Sequence, residues 1–342
     1  MEKQIKSRII ILQKYDEGED VMSKAVTHQE FAQLNRAKKK KSGINRSRIL
    51  QLYSIGLIPM LIVVITKYVP MFGIIVGFKQ YRYDKGIFGS DWVGFQNFEF
   101  FFKSSDFTRI TSNTLIMNFI FIALNLVTSV GLALLMYELI SRLKTKIYMT
   151  ILITPHFLSW VVVSYMAYAF LEPSYGIVNN LIESMGGDRI SWYTEPSYWP
   201  VILAIFYVWK NVGYNSIVYY AALMGIDESL IEAAKIDGAN KWQCTRHIII
   251  PCLLPLIVIM TILAIGGIFH SDFGLFYQIP RNVGKLYETT DVIDTYVFRT
   301  MRVVGDMGTS SAVGLVQSIV GLILVLTTNK ISKMIDNDFG LI

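Results

Sequence analysis

The sequence predicts an all-α membrane protein of about six transmembrane helices with both termini cytoplasmic. Three observations carry this. Of the 342 residues, 53% are hydrophobic and only 17% are charged, and the mean hydropathy is +0.43. Soluble domains carry about a quarter charged residues, so an apolar excess of this size requires a bilayer. The apolar residues fall in runs of span length, separated by polar and aromatic segments. The charge is also lopsided. Residues 1–48 hold twelve Lys/Arg and six Asp/Glu, which is the whole net charge of +6, and the remainder is neutral. A basic cluster before the first span keeps that end inside. Nucleic-acid binding by the main body is not implied.

Residues 1–48 read as a cytoplasmic tail, with Arg36, Lys38, Lys39, Lys40, Lys41, Arg46 and Arg48 ahead of a transmembrane domain over 49–334. The basic run is either a topology anchor or a site for anionic membrane lipid. No cleavable signal peptide is expected, since apolar Ile9–Leu12 is too short for one. The first span covers about 49–78 and contains Pro59 and Pro70, which predict a kinked or broken helix. An outside segment follows, with Trp92 and Phe98, Phe100, Phe101 and Phe102 at the membrane interface. The second span covers about 110–137. Asn118 and Asn125 are seven residues apart and share one face. That stripe serves either hydrogen bonding between helices or the lining of a solute path.

Arg142, Lys144 and Lys146 mark an inside loop before the third span, about 148–171, with Pro155 near its start. Residues 172–199 form a second outside segment, with a short interfacial helix and turns. The fourth span, about 200–222, is polar in its second half: Lys210, Asn211, Tyr214, Asn215 and Tyr219 put amides and hydroxyls on one face. Lipid rejects such a face. Asn125, Asn211, Tyr214, Asn215 and Tyr219 are therefore the candidates for contact with a solute, each with helix packing as the alternative. A fifth span at about 252–269, an outside segment and a sixth span at about 312–328 complete the bundle. Lys330, Lys333 and a short cytoplasmic tail, 335–342, close it.

Catalytic chemistry is not expected. Cys244 and Cys252 have no metal-ligand spacing, and the four histidines are scattered. No GxxxxGK[ST] stretch is present, so the chain has no phosphate-binding loop of its own.

The polar loop between the fourth and fifth spans, 223–251, is the most specific feature. Asp227 and Glu228 open a short helix, Gly238 stops it, residues 239–247 form a second short amphipathic helix with Trp242 as its large apolar contact, and Pro251 opens the next span. Glu232-Ala233-Ala234, three residues, Gly238, nine residues and Ile248-Ile249-Ile250-Pro251 resemble the EAA motif of binding-protein-dependent ABC importer permeases. That motif reads EAA, three, G, nine, I-x-L-P, and Ile250 in place of Leu is the one departure. Asp237-Gly238-Ala239 resembles the form found in the carbohydrate branch. Lys67-Tyr68-Val69-Pro70-Met71-Phe72-Gly73, Gly77-Phe78-Lys79, Trp92-Val93-Gly94 with Asn97-Phe98, and Asn113-Thr114-Leu115 resemble its LplB-like oligosaccharide permeases, similar to the MalF type. The resemblance runs from about residue 45 to the end.

The resemblance implies a type I importer permease fold in a prokaryotic plasma membrane. It implies a homologous second permease, two ABC ATPase subunits and an extracellular solute-binding lipoprotein as partners. It makes the loop a coupling helix that docks on the ATPase through Glu232, Ala233, Ala234, Asp237, Gly238, Ala239 and Pro251. ATP and Mg belong on the partner ATPase, and no cofactor is expected on this chain. Two other classes compete. An ion-gradient-driven secondary carrier calls for internal repeats and buried ionisable groups, yet no repeat is evident and Lys210 is the clearest intramembrane charge. A membrane enzyme calls for a nucleophile–base or metal constellation, which is not seen.

Overall fold

The computed structural model describes residues 46–139 and 141–335. Most of the basic tail and the last residues of the C-terminal tail lie outside the described residues. The chain forms two compact units, 1–69 and 70–342. In the first, the helix Arg46–Val63 contains Pro59 and runs into a wide turn, Val64–Tyr68, where the Val69 N–H reaches back to the Val64 carbonyl. Such a π turn shortly before Pro70 absorbs the donor that proline lacks. From Tyr53 onward the side chains of this helix are exposed.

Among the described residues, five helices are long and apolar enough to cross a membrane: Tyr53–Phe78, Ser105–Tyr137, Pro196–Leu223, Lys241–Gly266 and Met307–Met334. A sixth is reached if the pair Leu143–Phe157 and Trp160–Leu171, bent by 96° at the break between them, counts as one broken span. The apolar content of 148–171 anticipates a single span, but the helix breaks after Pro155. A 3-10 turn, Thr154–Phe157, ends the first half, and Ser159 caps the second by accepting the Val162 N–H.

The second and fourth spans form the spine of the larger unit. Phe121 stacks on Tyr207 with ring centroids 4.3 Å apart. Nearer the loop end, Ala133, Tyr219 and Leu223 are buried together with Ile249 and Leu253. The third span approaches the fourth at Gly213, where a Cβ would stand 1.9 Å from the Leu152 carbonyl oxygen. The fifth and sixth spans meet at Gly266, whose added Cβ would lie 2.2 Å from Val325. Small residues at such crossings let helices approach closely where no hydrophobic force drives them together.

The segments beyond the spans are ordered by buried polar hubs. A two-residue antiparallel ladder pairs β1, Lys79–Gln80, with β2, Asp91–Trp92. Asn97 donates to the Gly77 and Lys79 carbonyls. Asn179 is fully buried. It donates to Pro173 and Ile190 and accepts from the Trp192 indole at 3.0 Å. The expected interfacial helix is Ile177–Ser184. Asp291 is buried between two guanidiniums: Arg299 makes a paired contact at 3.1 and 2.6 Å, and Arg109 lies 3.3 Å away. A buried carboxylate is tolerated only with such partners.

The close approach at Gly213 yields a prediction. Gly213→Ala should lower the stability of the detergent-solubilised protein by about 1–3 kcal/mol, since neither helix can yield without loss of packing. An unshifted melting temperature would contradict the packing described.

Candidate functional site

The loop after the fourth span is built by local capping. Asp227 accepts the Ser229 N–H at 3.0 Å and caps the helix Glu228–Ile236. The Ser229 main-chain N–H, and after it the Ser229 side chain, hold the Asp227 carboxyl below the usual aspartate range. At the other end, the Gly238 N–H reaches the Lys235 carbonyl and the Ala239 N–H reaches the Ala234 carbonyl at 2.9 Å. This paired closure is a Schellman motif. It requires φ of +85° at Gly238, a conformation that glycine adopts without penalty. Asn240 and Gln243 then form a reciprocal capping box at 2.9 and 2.8 Å.

Glu232, Ala233, Asp237 and Gly238 are exposed, whereas Ala234 and Ala239 are half-buried. Ile226 and Ile231 pack into the cluster of Ala133, Tyr219, Leu223, Ile249 and Leu253. The helix is thus seated on the ends of the second, fourth and fifth spans. Lys241 ties it further to Glu138, just beyond the second span, at 2.7 Å. Two expectations change here. Trp242 is 68% exposed and does not serve as an inward apolar contact; Leu230 and Ile236 of the loop helix are exposed as well. Pro251 stands in the first turn of the helix Ile250–Gly266, as expected, but that helix does not begin from a loop. The chain is helical from Lys241, and a π turn over Thr245–Ile249 precedes Pro251 and absorbs its missing donor.

Within the membrane-spanning part, a cavity of about 450 Å³ is lined by residues of the second, fourth and fifth spans and by His156, His270 and Asp272. Asn125, Asn211, Tyr214, Asn215 and Tyr219 all line it. Several also serve packing. Asn215 donates to the Asn125 carbonyl oxygen at 2.9 Å across the two spans, and Ser129 donates to the same oxygen at 3.1 Å. Asn211 donates to the Tyr207 carbonyl of its own helix. Tyr219 is only 4% exposed and belongs mainly to the core beneath. Tyr214 is 48% exposed and stacks on His156 at 4.3 Å. The amide oxygens of Asn211 and Asn215 and the Tyr214 hydroxyl have no protein partner among the described residues. The site therefore presents amides, phenols and flat rings, a chemistry suited to hydroxyl-rich solutes.

Asn118 also lines the cavity, and it ties the second span to the end of the fifth by donating to the Ile268 carbonyl at 2.7 Å and to Ser271 at 3.0 Å. Sequence reasoning missed His156, Tyr207, His270 and Asp272. The break signalled by Pro155 was the available clue for His156. Asp272 caps the next short helix through the Leu275 N–H and accepts the Trp160 indole at 2.7 Å. His270 faces Asp294 at 3.7 Å. The nearby Asp294 carboxylate raises its pKa above the ordinary imidazole value, against an opposing effect of burial.

A bundle of this kind, with a rigid outward-facing loop at one end and a polar cavity within the spans, defines a subunit of a membrane transporter. The chain belongs to the family of binding-protein-dependent transport system inner membrane components, whose model matches residues 54–337. It is 33% identical over 283 residues to Protein LplB of Bacillus subtilis (strain 168), covering 82% of this chain and 88% of that one. It is 34% identical over 267 residues to the polygalacturonan/rhamnogalacturonan transport system permease protein YteP of the same organism, covering 78% and 83%. A chain in the crystal structure of a bacterial alginate ABC transporter, in complex with an alginate pentasaccharide-bound periplasmic protein, superposes with a TM-score of 0.76. That chain is 33% identical, with 84% of this chain and 96% of the other covered. The protein is a multi-pass permease subunit of an ABC importer in a prokaryotic plasma membrane.

The His270–Asp294 contact has a pH signature. A folded pKa raised above the unfolded value, about 6.5, contributes stability that is fully present below that value and is lost as pH rises through the folded pKa. The difference in melting temperature between wild type and His270→Gln should therefore be largest near pH 5.5 and vanish by pH 9. A difference that grows with pH would rule out the pairing.

Proposed function

We propose that this permease forms, with a homologous second permease, the membrane path for an oligosaccharide handed over by an extracellular solute-binding protein, and that two ABC ATPase subunits drive it through the loop at Glu228–Gly238. The observation that carries the reading is this loop. Its helix is capped at both ends and seated on three spans, and it exposes Glu232, Ala233, Leu230 and Ile236, with Trp242 exposed on the short helix that follows. A small-residue helix face with one carboxylate and an apolar rim suits docking into a groove with a basic group. The basic cluster before the first span and Lys330 and Lys333 after the last favour a cytoplasmic location for it. The saccharide reading draws on the amides, phenols and rings of the cavity, and on the polysaccharides named for YteP and for the alginate transporter.

The test is reconstitution of the chain with its partner subunits and binding protein in lipid vesicles. The panel would be short oligosaccharides from rhamnogalacturonan, polygalacturonan, alginate, starch and xylan. ATP-dependent uptake of at least one, with stimulated ATP hydrolysis, is the expected result; uptake driven by an ion gradient without the ATPase would overturn the reading. Glu232→Lys and Gly238→Val, the latter forcing a β-branched residue into the left-handed region, should each reduce uptake more than about tenfold, which corresponds to about 1.4 kcal/mol of lost coupling. Both variants should still insert in the membrane. Wild-type uptake by both would remove the loop from the coupling path.

A further inference from the structure

Lys210 lies in the middle of the fourth span and is only 6% exposed. Its Nζ donates to three main-chain carbonyls, Pro155 at 3.3 Å, His156 at 2.7 Å, and Leu158. Three acceptors use all three N–H groups of an ammonium. These carbonyls belong to the turn where the third span breaks, and the end of its first half carries the negative pole of that helix. A cation there replaces the intrahelical partners that the break removes.

The same turn carries His156, and the same face of the fourth span carries Tyr214, four residues beyond Lys210. The main chain of His156 is held by Lys210, while its ring lies flat on Tyr214, with centroids 4.3 Å apart and planes 9° apart. Both rings line the cavity. The His156 Nδ1 is buried and has no hydrogen-bond partner among the described residues. Trp160 adds a second link: its ring lies 5.2 Å beneath the Lys210 ammonium, and its indole N–H donates to Asp272, which also lines the cavity.

We propose that Lys210 is a positioning residue for the transported solute: its ammonium fixes the Pro155–Leu158 turn and thereby holds His156 against Tyr214 as a cavity wall that grips a sugar ring. The flat ring pair offers a surface for the C–H face of a pyranose. The identity of the solute as a saccharide rests on the function proposed above; the clasp itself does not.

The test compares uptake kinetics in reconstituted vesicles, using the panel oligosaccharide that wild type transports fastest. Lys210→Met and His156→Ala should each raise KM about tenfold, the scale of one lost ring-stacking contact, with maximal rate within about twofold. The double variant should be no worse than either single one, because both act through one contact. Lys210→Arg, which keeps the charge and the donors, should recover most of the affinity. A normal KM for His156→Ala, or single effects that multiply in the double variant, would overturn the proposal, even if Lys210→Met assembles poorly. Should wild type transport nothing in the panel, the saccharide reading fails, and a solute-free assay then decides on the clasp. In a background lacking Cys244 and Cys252, a thiol introduced by His156→Cys should react with a water-soluble maleimide at least about fivefold faster when Lys210 is Met, since the freed turn frays. An unchanged rate would overturn the clasp.

Discussion

The seam between the second and fourth spans sets the position of everything else in the larger unit. It is held by the stacked rings of Phe121 and Tyr207, by the Asn215–Asn125 amide bond, and by the buried contact of Ala133 with Tyr219 and Leu223. An unpaired amide in hydrocarbon costs about 4–8 kcal/mol. The two asparagines therefore cannot face lipid, and their mutual bond locks the rotation of both helices. Once that rotation is set, the remaining polar groups of the fourth span must face inward. The cavity is thus a consequence of the seam, as is the seat that Leu223 and Tyr219 provide for the loop helix.

A second constraint is the backbone itself. Where a span bends inside a membrane, the freed carbonyls need donors from within the protein. The chain meets this need in different ways. Wide turns precede Pro70 and Pro251, so that neither proline interrupts its helix. The sharper break after Pro155 has no such local remedy, and Lys210 supplies the donors from another span. The cost of a buried ammonium is thereby offset by three carbonyl dipoles and the face of Trp160.

Much of this was legible in the sequence, and the limits have physical reasons. The number of spans, the shared face of Asn118 and Asn125, and the loop helix with its stop at Gly238 all follow from spacing and capping chemistry, which are local. The cavity candidates share one helical face with their neighbours, so their convergence was also readable. The 96° bend of the third span was signalled only by Pro155, because its stabilising group lies some fifty residues away on another helix. Asp272 and His270 escaped notice for a similar reason: a residue at the end of a span reads as an interface residue unless its partners, Trp160 and Asp294, are known. Trp242 was misread because a large aromatic on a short amphipathic helix ordinarily points inward, whereas here the outward face is the one offered to a partner.

The central claim is that the loop helix moves as one body with the spans that form the cavity. Its most direct test is a distance measurement by pulsed electron spin resonance in the assembled importer. Spin labels on Ile236 of the loop helix and on Val127 of the second span, both exposed, would be compared without nucleotide and with the ATPases trapped closed. A single narrow distance distribution, unchanged by trapping, is the predicted result. A shifted or broadened distribution on trapping would show that the loop flexes independently of the spans, and would contradict the account.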